Sequence, residues 1–308
     1  MKLGTIALLA CLFLPVSGGT AVAAAARFEN KAIEVSLPEG WILGEVAAIA
    51  RRDNGNFIIF HRGRHQLLEF DQDQKFIREI GPGLFKNPHG LRIDDDGNIW
   101  TTDSGTHIVL RFSPSGAVTM VLGKNNLAGT GWFDRDYHLV LFDQPMDVAL
   151  DRHKNIYVVD KGNERIVKMD PNGFLIKAWG GKGSAAGEFK FAHSIVIDDE
   201  DRVYVADREN RRIQRFDLEG KYLDEWTDVG YPYVMTLAGD KLWVTDARAE
   251  TVRKFDLNGR LLKSFQGPAG RNPGQFSAVH GIYVDTDDKL WVTQIFNWGG
   301  INMLRPLR

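Results

Sequence analysis

Short apolar runs separated by turn residues recur along most of the chain. In NPHGLRIDDDGNIWTTD, residues 87–103, two such runs flank the segment DDDG. Both runs are too short for a typical helix, and apolar and polar residues alternate within the first of them. An acidic turn that ends in glycine between two such runs is typical of a β-hairpin. The stretch therefore predicts two antiparallel strands, with His89 at the start of the first.

This arrangement is repeated along the chain. Six copies of roughly 40 residues each carry short alternating runs joined by turns, usually four per copy. Four antiparallel strands per repeat at this period are the signature of a β-propeller blade, so the sequence predicts an all-β fold, a six-bladed β-propeller. The copies are residues 45–81, 85–123, 142–180, 189–226, 230–265 and 276–308.

The two ends of the repeat region indicate how the ring closes. The last copy contains only three runs, and AIEVSL, residues 32–37, is an unassigned strand-like run near the other end. We predict that this N-terminal strand completes blade six, which removes the open sheet edges that promote aggregation. Residues 124–141 form an insertion between blades two and three. Since no segment resembles a linker, residues 27–308 are predicted to form a single propeller domain.

The first 26 residues have the pattern of a secretory signal peptide. Lys2 precedes an apolar stretch, and small residues suited to cleavage follow at 21–26. The sequence therefore predicts an exported protein, secreted or periplasmic, with no membrane segment after cleavage. Lipidation of Cys11 in LLAC is the disfavoured alternative, because the apolar stretch before it is short. Cys11 is the only cysteine, so the mature chain would have neither thiols nor disulfides.

Charge and composition exclude some partners. The 308 residues carry a formal net charge of −2 at pH 7. A chain this close to neutral has no strong electrostatic attraction to nucleic acid or to an anionic membrane, so neither is predicted as a partner. The basic stretch RENRRIQR, residues 208–215, is interpreted as a solvated strand face. The 32 glycines agree with a fold that contains many tight turns.

Three of the eight histidines occupy one position of the repeat. His89, His193 and His280 each precede the aromatic residue of the following strand by 11 residues, in blades two, four and six. Alternate blades of a six-bladed ring lie about 120° apart, and the innermost strands border the axis. Three imidazoles on those strands would converge on one axial point, as the ligands of a catalytic zinc site do. Copper, cobalt or nickel would suit the same donors, and the alternative is three separate packing histidines.

The repeat motifs also resemble those of a known family. HGL or HSI, then IWTTD or VYVAD, then NRRIQRFD are similar to NHL-repeat propellers. FHRGRH, QPMDVALD, HSIVIDDEDRVYVADRENRRIQRF and VHGIYVD together resemble peptidyl-α-hydroxyglycine α-amidating lyase over most of residues 45–295. The resemblance implies a six-bladed propeller with a three-histidine zinc site and a structural calcium ion. It also implies cleavage of the N–C bond of a carbinolamide, which releases a peptide amide and glyoxylate.

The resemblance assigns roles to particular residues. It places zinc on His89, His193 and His280, in agreement with their shared repeat position. It further implies that Arg62 and Arg208 are active-site arginines. A guanidinium suits a substrate carboxylate or a developing oxyanion, so the expected substrate is a small molecule or peptide with an anionic group. The alternative role for each arginine is a salt bridge between blades.

The sequence departs from the family at several positions, among them Ala278 and Val279, where the family has a methionine and a proline before its third zinc histidine. Lys161 follows the aspartate of blade three's second strand, where the family has its catalytic tyrosine. It is interpreted as a solvated turn residue, although it or Tyr137 could replace that tyrosine. Gly281 stands where the family has a calcium-binding aspartate, so the implied calcium site lacks this ligand. These departures favour a second hypothesis, a non-catalytic NHL-repeat module that keeps the histidines and binds a protein partner.

Overall fold

Six four-stranded antiparallel sheets make up the fold. The computed structural model describes residues 28–129, 133–134, 139–285, 288–296 and 300–307. The sheets coincide with the six predicted repeats, which confirms the six-bladed propeller. The predicted leader, residues 1–26, lies outside the described residues, as does Tyr137. Within the described ranges, no helix has the length and apolar character that a membrane span requires.

In blades one to five the strands follow one another along the chain from the inner to the outer edge, whereas the outermost strand of blade six comes from the N-terminal end. Blade one consists of β2 (Val46–Arg51), β3 (Phe57–His61), β4 (Leu67–Phe70) and β5 (Phe76–Glu79). Blade two consists of β6 (Pro88–Ile93), β7 (Ile99–Asp103), β8 (Ile108–Phe112) and β9 (Val118–Gly123). Blade three consists of β12 (Pro145–Leu150), β13 (Ile156–Asp160), β14 (Arg165–Met169) and β15 (Leu175–Gly180).

The remaining blades have the same order. Blade four consists of β16 (Ala192–Ile197), β17 (Val203–Asp207), β18 (Arg212–Phe216) and β19 (Tyr222–Trp226). Blade five consists of β20 (Met235–Ala238), β21 (Lys241–Asp246), β22 (Thr251–Asp256) and β23 (Leu261–Gln266). Blade six consists of β24 (Val279–Val284), β25 (Leu290–Gln294), β26 (Ile301–Pro306) and β1 (Phe28–Ala32). Short 3-10 turns follow the second strands of blades three and four, at Lys161–Asn163 and Arg208–Asn210.

An N-terminal strand closes the ring, as predicted, but the predicted residues were wrong. β1 pairs antiparallel with β26 over its whole length, and it shares only Ala32 with the predicted run 32–37. Asn30 on β1 is bound by the Asn302 side-chain amide at 2.8 Å, which fixes this register. The rest of the predicted run packs its apolar side chains against the cluster between blades six and one: Ile33, Val35 and Leu37.

The hydrophobic core is divided among the interfaces between neighbouring blades. Phe60 of blade one, for example, packs in one cluster with Leu91 and Phe112 of blade two. The aromatic residues on which the repeats align are all buried: Trp100, Tyr157, Tyr204, Trp243 and Trp291. Burial of each such side chain contributes about 1.5–3 kcal/mol.

The DDDG segment forms the predicted hairpin turn. The Gly97 N–H donates to the Asp94 carbonyl at 2.8 Å, and the Asp94 carboxylate accepts the Trp100 indole N–H at 2.8 Å. Asp151 and Asp198 bind Tyr157 and Tyr204 in the same way in blades three and four. The turn aspartates therefore orient the buried aromatic residues.

The first strands of adjacent blades contact one another around the central axis. They are β2, β6, β12, β16, β20 and β24. This confirms that the run containing the repeated histidines is the innermost strand. In the insertion, Phe133–Asp134 and Leu139–Val140 pair as a short hairpin of strands β10 and β11. Residues 130–132 and 135–138 of the insertion lie outside the described residues.

His61 replaces the aspartate that ends the second strand in blades two to five. Its Nδ1 accepts the backbone N–H of Gly44 at 3.0 Å and of Gly63 at 2.9 Å. Asp103 has the corresponding role in blade two, where one of its carboxylate oxygens, Oδ2, accepts two backbone N–H groups. Two donors at Nδ1 require a neutral ring with its hydrogen on Nε2. Burial lowers the pKa of His61 from 6.5 to about 4.

We expect His61 to make the fold sensitive to acid. Because its pKa is lower in the folded state, the unfolded chain binds more protons as pH falls from about 6.5 to about 4, and stability is lost over that window. The His61→Asn variant keeps an acceptor oxygen near Nδ1 but does not titrate. Denaturant unfolding at several pH values measures the free energy of unfolding. Between about pH 6.5 and pH 4, we expect the variant to lose about 3 kcal/mol less of this free energy than the wild type. Identical pH profiles for the two proteins would contradict this role.

Candidate metal centre

Three histidines from alternate blades meet at the axis. His89 lies on β6, His193 on β16 and His280 on β24. One ligand nitrogen from each lies within 4.8 Å of those of the other two, and all three side chains are buried. The ring centroids are 4.7 to 5.1 Å apart. The structure therefore brings together the set predicted from the repeat, in an arrangement that could hold one metal ion.

A backbone carbonyl of the next blade orients each imidazole. The acceptors are the carbonyls of Met146 for His89 (2.7 Å), Tyr233 for His193 (2.8 Å) and Ala47 for His280 (2.8 Å). Since a carbonyl only accepts, each Nδ1 carries the hydrogen and each Nε2 keeps a free lone pair. The three acceptors occupy the histidine position of the repeat in blades three, five and one, so ligand and acceptor blades alternate around the ring.

Burial keeps all three imidazoles neutral at physiological pH. Burial, followed by the positive charge of Arg62, lowers the pKa of His89 to about 3. Burial, followed by repulsion from His89, holds the pKa of His193 and of His280 well below 6.5. Neutral imidazole is the form that binds a transition metal, so the donor set fits zinc without loss of protons.

A glycine follows two of the three histidines because a neighbouring carbonyl leaves no space for a side chain. A Cβ on Gly90 would lie 2.7 Å from the Met146 carbonyl oxygen, and one on Gly281 would lie 2.8 Å from that of Ala47. These are the carbonyls that hold His89 and His280. Position 281 therefore has no room for the aspartate of the implied calcium site.

We expect Gly281→Ala to loosen the site. The added methyl group must displace backbone, which costs about 1–3 kcal/mol of unfolding free energy. It also shifts the acceptor of His280, so zinc affinity should fall by about 10-fold in a chelator competition. Gly187→Ala is the control, because that position is open but has φ +82°. The control should lose stability and keep its zinc affinity, and equal zinc affinity in both variants would disprove the steric role of Gly281.

The two arginines implied by the resemblance lie near the histidines. Arg62 and Arg208 both lower the pKa of His89 electrostatically. Arg62 donates to the Pro88 carbonyl of blade two at 3.3 Å and pairs with Glu45 at 3.2 Å. The Arg208 guanidinium pairs with Glu209 at 2.9 Å. Both side chains are largely shielded from solvent, and each is bound to a carboxylate of its own blade. The alternative role, a salt bridge between blades, is therefore not found for either arginine.

Lys161 is not the solvated turn residue that the sequence suggested. It is partly buried, and its Nζ donates to the Gln144 side chain at 3.0 Å. The same Nζ lies 4.4 Å from the centre of the Phe191 ring. Its charge also acts on His89. Three cationic side chains thus act on one histidine: Arg62, Lys161 and Arg208.

Phe191 is a site residue that the sequence analysis missed. Its ring lies 3.6 Å from the Arg208 guanidinium carbon and stacks on His193 at 5.8 Å between centroids. It has φ +62°, which is unfavourable for a bulky side chain. The Glu164 carboxylate of blade three stabilises this conformation by accepting the Phe191 N–H at 2.8 Å. The only sequence signal was an aromatic residue two positions before His193.

The fold and site together define a class of protein, a six-bladed β-propeller with a buried three-histidine cluster on its axis. A family model described as an NHL repeat matches residues 85–112, and one described as a 6-bladed beta-propeller matches residues 140–228. Both support the fold and neither covers half of the chain.

Known relatives of the chain include amidating enzymes. It is 33% identical over 198 residues to peptidylglycine alpha-amidating monooxygenase of Rattus norvegicus, covering 53% of this chain and 20% of the relative. It is 33% identical over 159 residues to a probable peptidyl-alpha-hydroxyglycine alpha-amidating lyase of Caenorhabditis elegans, covering 44% and 43%. The chain thus spans about a fifth of the first relative and under half of the second.

A solved structure with the same architecture is a streptogramin B lyase. It has a TM-score of 0.65 and 17% identity, and the match covers 91% of this chain and 98% of that one. At this identity the likeness concerns the fold alone.

Proposed function

We propose that this protein is a zinc-dependent carbon–nitrogen lyase that cleaves the N–C bond of a carbinolamide bearing an anionic group. The observation that carries the proposal is the convergence of three neutral imidazoles beside three cationic side chains. The similarity to proteins named as amidating lyases supports the class of reaction.

The donor set favours zinc as the resident metal. Three neutral imidazoles with a remaining open position form a common catalytic zinc site. The Nδ1 hydrogen bonds of His89, His193 and His280 to backbone carbonyls would fix the ring orientations and raise the basicity of Nε2. Zinc, when bound, would supply a Lewis acid that polarises a substrate oxygen.

Arg62 and Arg208 would hold the anionic group of the substrate. A guanidinium binds a carboxylate through two parallel N–H donors, which fixes orientation as well as charge. The Arg208 guanidinium carbon lies 3.6 Å from the centre of the Phe191 ring, and its Nε donates to Glu209 at 2.9 Å, so the group is held in place before a substrate arrives. Such preorganisation reduces the entropy lost on binding.

The reaction needs only one proton to move between two atoms of the substrate. As the hydroxyl O–H bond breaks, its electrons form the C=O bond of glyoxylate, the C–N bond breaks, and the amide nitrogen takes up the proton. Neither a redox reagent nor water is consumed. Lys161 occupies the position of the family's tyrosine and lies among the cationic groups of the site, so we assign it to carry this proton.

We expect Lys161→Met to lower kcat by about 100-fold, because proton transfer by a positioned side chain contributes at least that much. Lys161→Tyr restores a group that can transfer protons and should recover part of the rate. Stopped assays of glyoxylate at saturating substrate give kcat. If Lys161→Met keeps the wild-type kcat, Lys161 has no part in the chemistry.

The function is tested with a peptide that ends in α-hydroxyglycine. The zinc-loaded protein should release glyoxylate and peptide amide in equal amounts. The same peptide with a carboxamide in place of the terminal carboxylate is the matched control, and it should react far more slowly because the arginines have no anion to bind. A zinc-loaded protein that leaves the acid peptide unchanged would refute the lyase.

The alternative is a metal-retaining NHL-repeat module without catalysis, which the lysine at position 161 favours. It predicts one zinc per chain with no release of glyoxylate, and loss of a partner protein on mutation of His193. Export of the chain rests on the sequence of residues 1–26, and we propose that these residues are removed. N-terminal sequencing of the protein from culture supernatant or periplasm tests that proposal.

A further inference from the structure

An ion pair crosses the central channel directly beneath the three histidines. Arg92 lies on β6, three residues after His89, and Asp147 lies on β12, next to the Met146 carbonyl that holds His89. The Arg92 guanidinium donates to both carboxylate oxygens of Asp147, at 3.0 and 2.5 Å. The Asp147 side chain is 5% exposed. A charged pair at this depth requires further hydrogen bonds, because desolvation of both groups is costly.

The further hydrogen bonds come from two more blades. Ser194, next to His193, donates its hydroxyl to Asp147 at 2.7 Å, and the Ile195 N–H donates to the same oxygen at 3.1 Å. Arg92 also donates to the carbonyl of Met235 in blade five at 3.0 Å, and the Met235 N–H donates to Ser194 at 3.1 Å. One network therefore joins the inner strands of blades two, three, four and five.

The Arg92–Asp147 ion pair also divides the central channel into two cavities. A cavity of about 20 Å³, large enough for one water molecule, lies on the histidine side and is lined by His89, His193, Arg92 and Asp147 among others. A much larger cavity of about 640 Å³ lies on the other side and also reaches Arg92. Arg92 thus separates the histidines from the opposite face of the ring.

We propose that Arg92 and Asp147 form a positioning brace for the metal centre. The ion pair holds the inner strands of four blades at the separation at which His89 and His193 reach the same ion, and it closes the channel beneath that ion. Neither residue touches the substrate. The inference rests on the proposed zinc site, and it explains how the inner strands are held together across the axis where Gly281 leaves no calcium ligand.

The test compares Asp147→Asn with Glu69→Gln. Glu69 is also buried and pairs with Arg52 and Arg78, but it lies on the third strand of blade one, away from the axis. The first readout is the zinc dissociation constant from competition with a chromogenic chelator. The second is amide hydrogen exchange of the Val148, Ile195 and Met235 segments in metal-free protein. Arg92→Lys is measured as well, because it keeps the charge and loses the planar fork.

We expect Asp147→Asn to weaken zinc binding by about 10–100-fold, as loss of outer-shell partners of metal ligands typically does. Arg92→Lys should weaken it by a smaller factor. Amide hydrogen exchange at the three segments should be faster in both of these variants than in the wild type. The control Glu69→Gln should lose stability, but its zinc affinity and its exchange at the three segments should not change. A folded Asp147→Asn with wild-type zinc affinity and wild-type exchange would overturn the brace. If Asp147→Asn does not fold, Arg92→Lys decides by the same criteria. Zinc affinity and hydrogen exchange can both be measured even if the lyase assay fails. The proposal of the brace and the proposal of the lyase can therefore be refuted independently.

Discussion

His193→Ala should leave the protein folded, without stoichiometric zinc and without lyase activity. His193 contributes one of the three donor nitrogens, and the two nitrogens that remain, from His89 and His280, cannot form a three-nitrogen site. Loss of an outer-shell partner already costs about 10–100-fold in metal affinity, so loss of a ligand should cost more than about 100-fold. The same substitution removes the ring between Phe191 and Tyr233, which also opens the approach to the metal. Elemental analysis after dialysis measures the zinc content per chain.

The matched control for this experiment is His65→Ala. His65 also makes an aromatic contact, stacking on Trp41 at 3.3 Å between centroids, and it pairs with Glu79 at 3.0 Å. It belongs to blade one and is not part of the three-histidine cluster. The control should keep one zinc per chain and full activity. If His193→Ala binds zinc as tightly as the control does, the three-histidine site is not the zinc site.

Arg208→Ala should lower kcat/KM by about 10²–10³-fold, because it removes a fixed charged donor from a shielded site. Zinc content should not change, since Arg208 makes no hydrogen bond to the histidines among the described contacts. Arg208→Lys should restore little, because an ammonium neither stacks on Phe191 as a plane nor binds a carboxylate through two donors. Steady-state assays with the α-hydroxyglycine peptide give kcat/KM for each variant.

Arg248→Ala controls for the loss of a nearby positive charge. Arg248 pairs with the same Glu209 at 2.8 Å, but its guanidinium lies over Tyr231 rather than Phe191. We expect its kcat/KM to remain within a few-fold of wild type. A similar loss in the Arg208 and Arg248 variants would mean that general charge attracts the substrate, and that Arg208 does not bind it directly.

The sequence was sufficient for the fold because each repeat is a local unit. Alternating runs, acidic turns and a buried aromatic such as Trp100 recur at one period, and blade number follows from counting copies. The convergence of the three histidines followed from symmetry for the same reason. The residues of the closing strand were predicted wrongly, because the strand is defined by its pairing with β26, and the apolar pattern of a run does not show which strand it pairs with. FENKA fits the edge of β26, while the more apolar run after it packs between blades.

Contacts between distant blades could not be predicted from local patterns. The partners of Arg92 come from three other blades, and a single arginine in an inner strand gives no sign of them. Nothing in the sequence placed Lys161 against Phe191, because that contact depends on the left-handed backbone at Phe191. Residues specific to one copy of the repeat thus define the surroundings of the site, whereas residues common to the copies define the ring.

The most direct measurement of the central claim is a zinc titration of the metal-free protein with glyoxylate release as the readout. If the three histidines form the active centre, activity should rise linearly with added zinc and reach a plateau at one zinc per chain. The His193→Ala protein should stay inactive throughout. Wild-type activity in the metal-free protein, or no glyoxylate at one bound zinc per chain, would contradict the account.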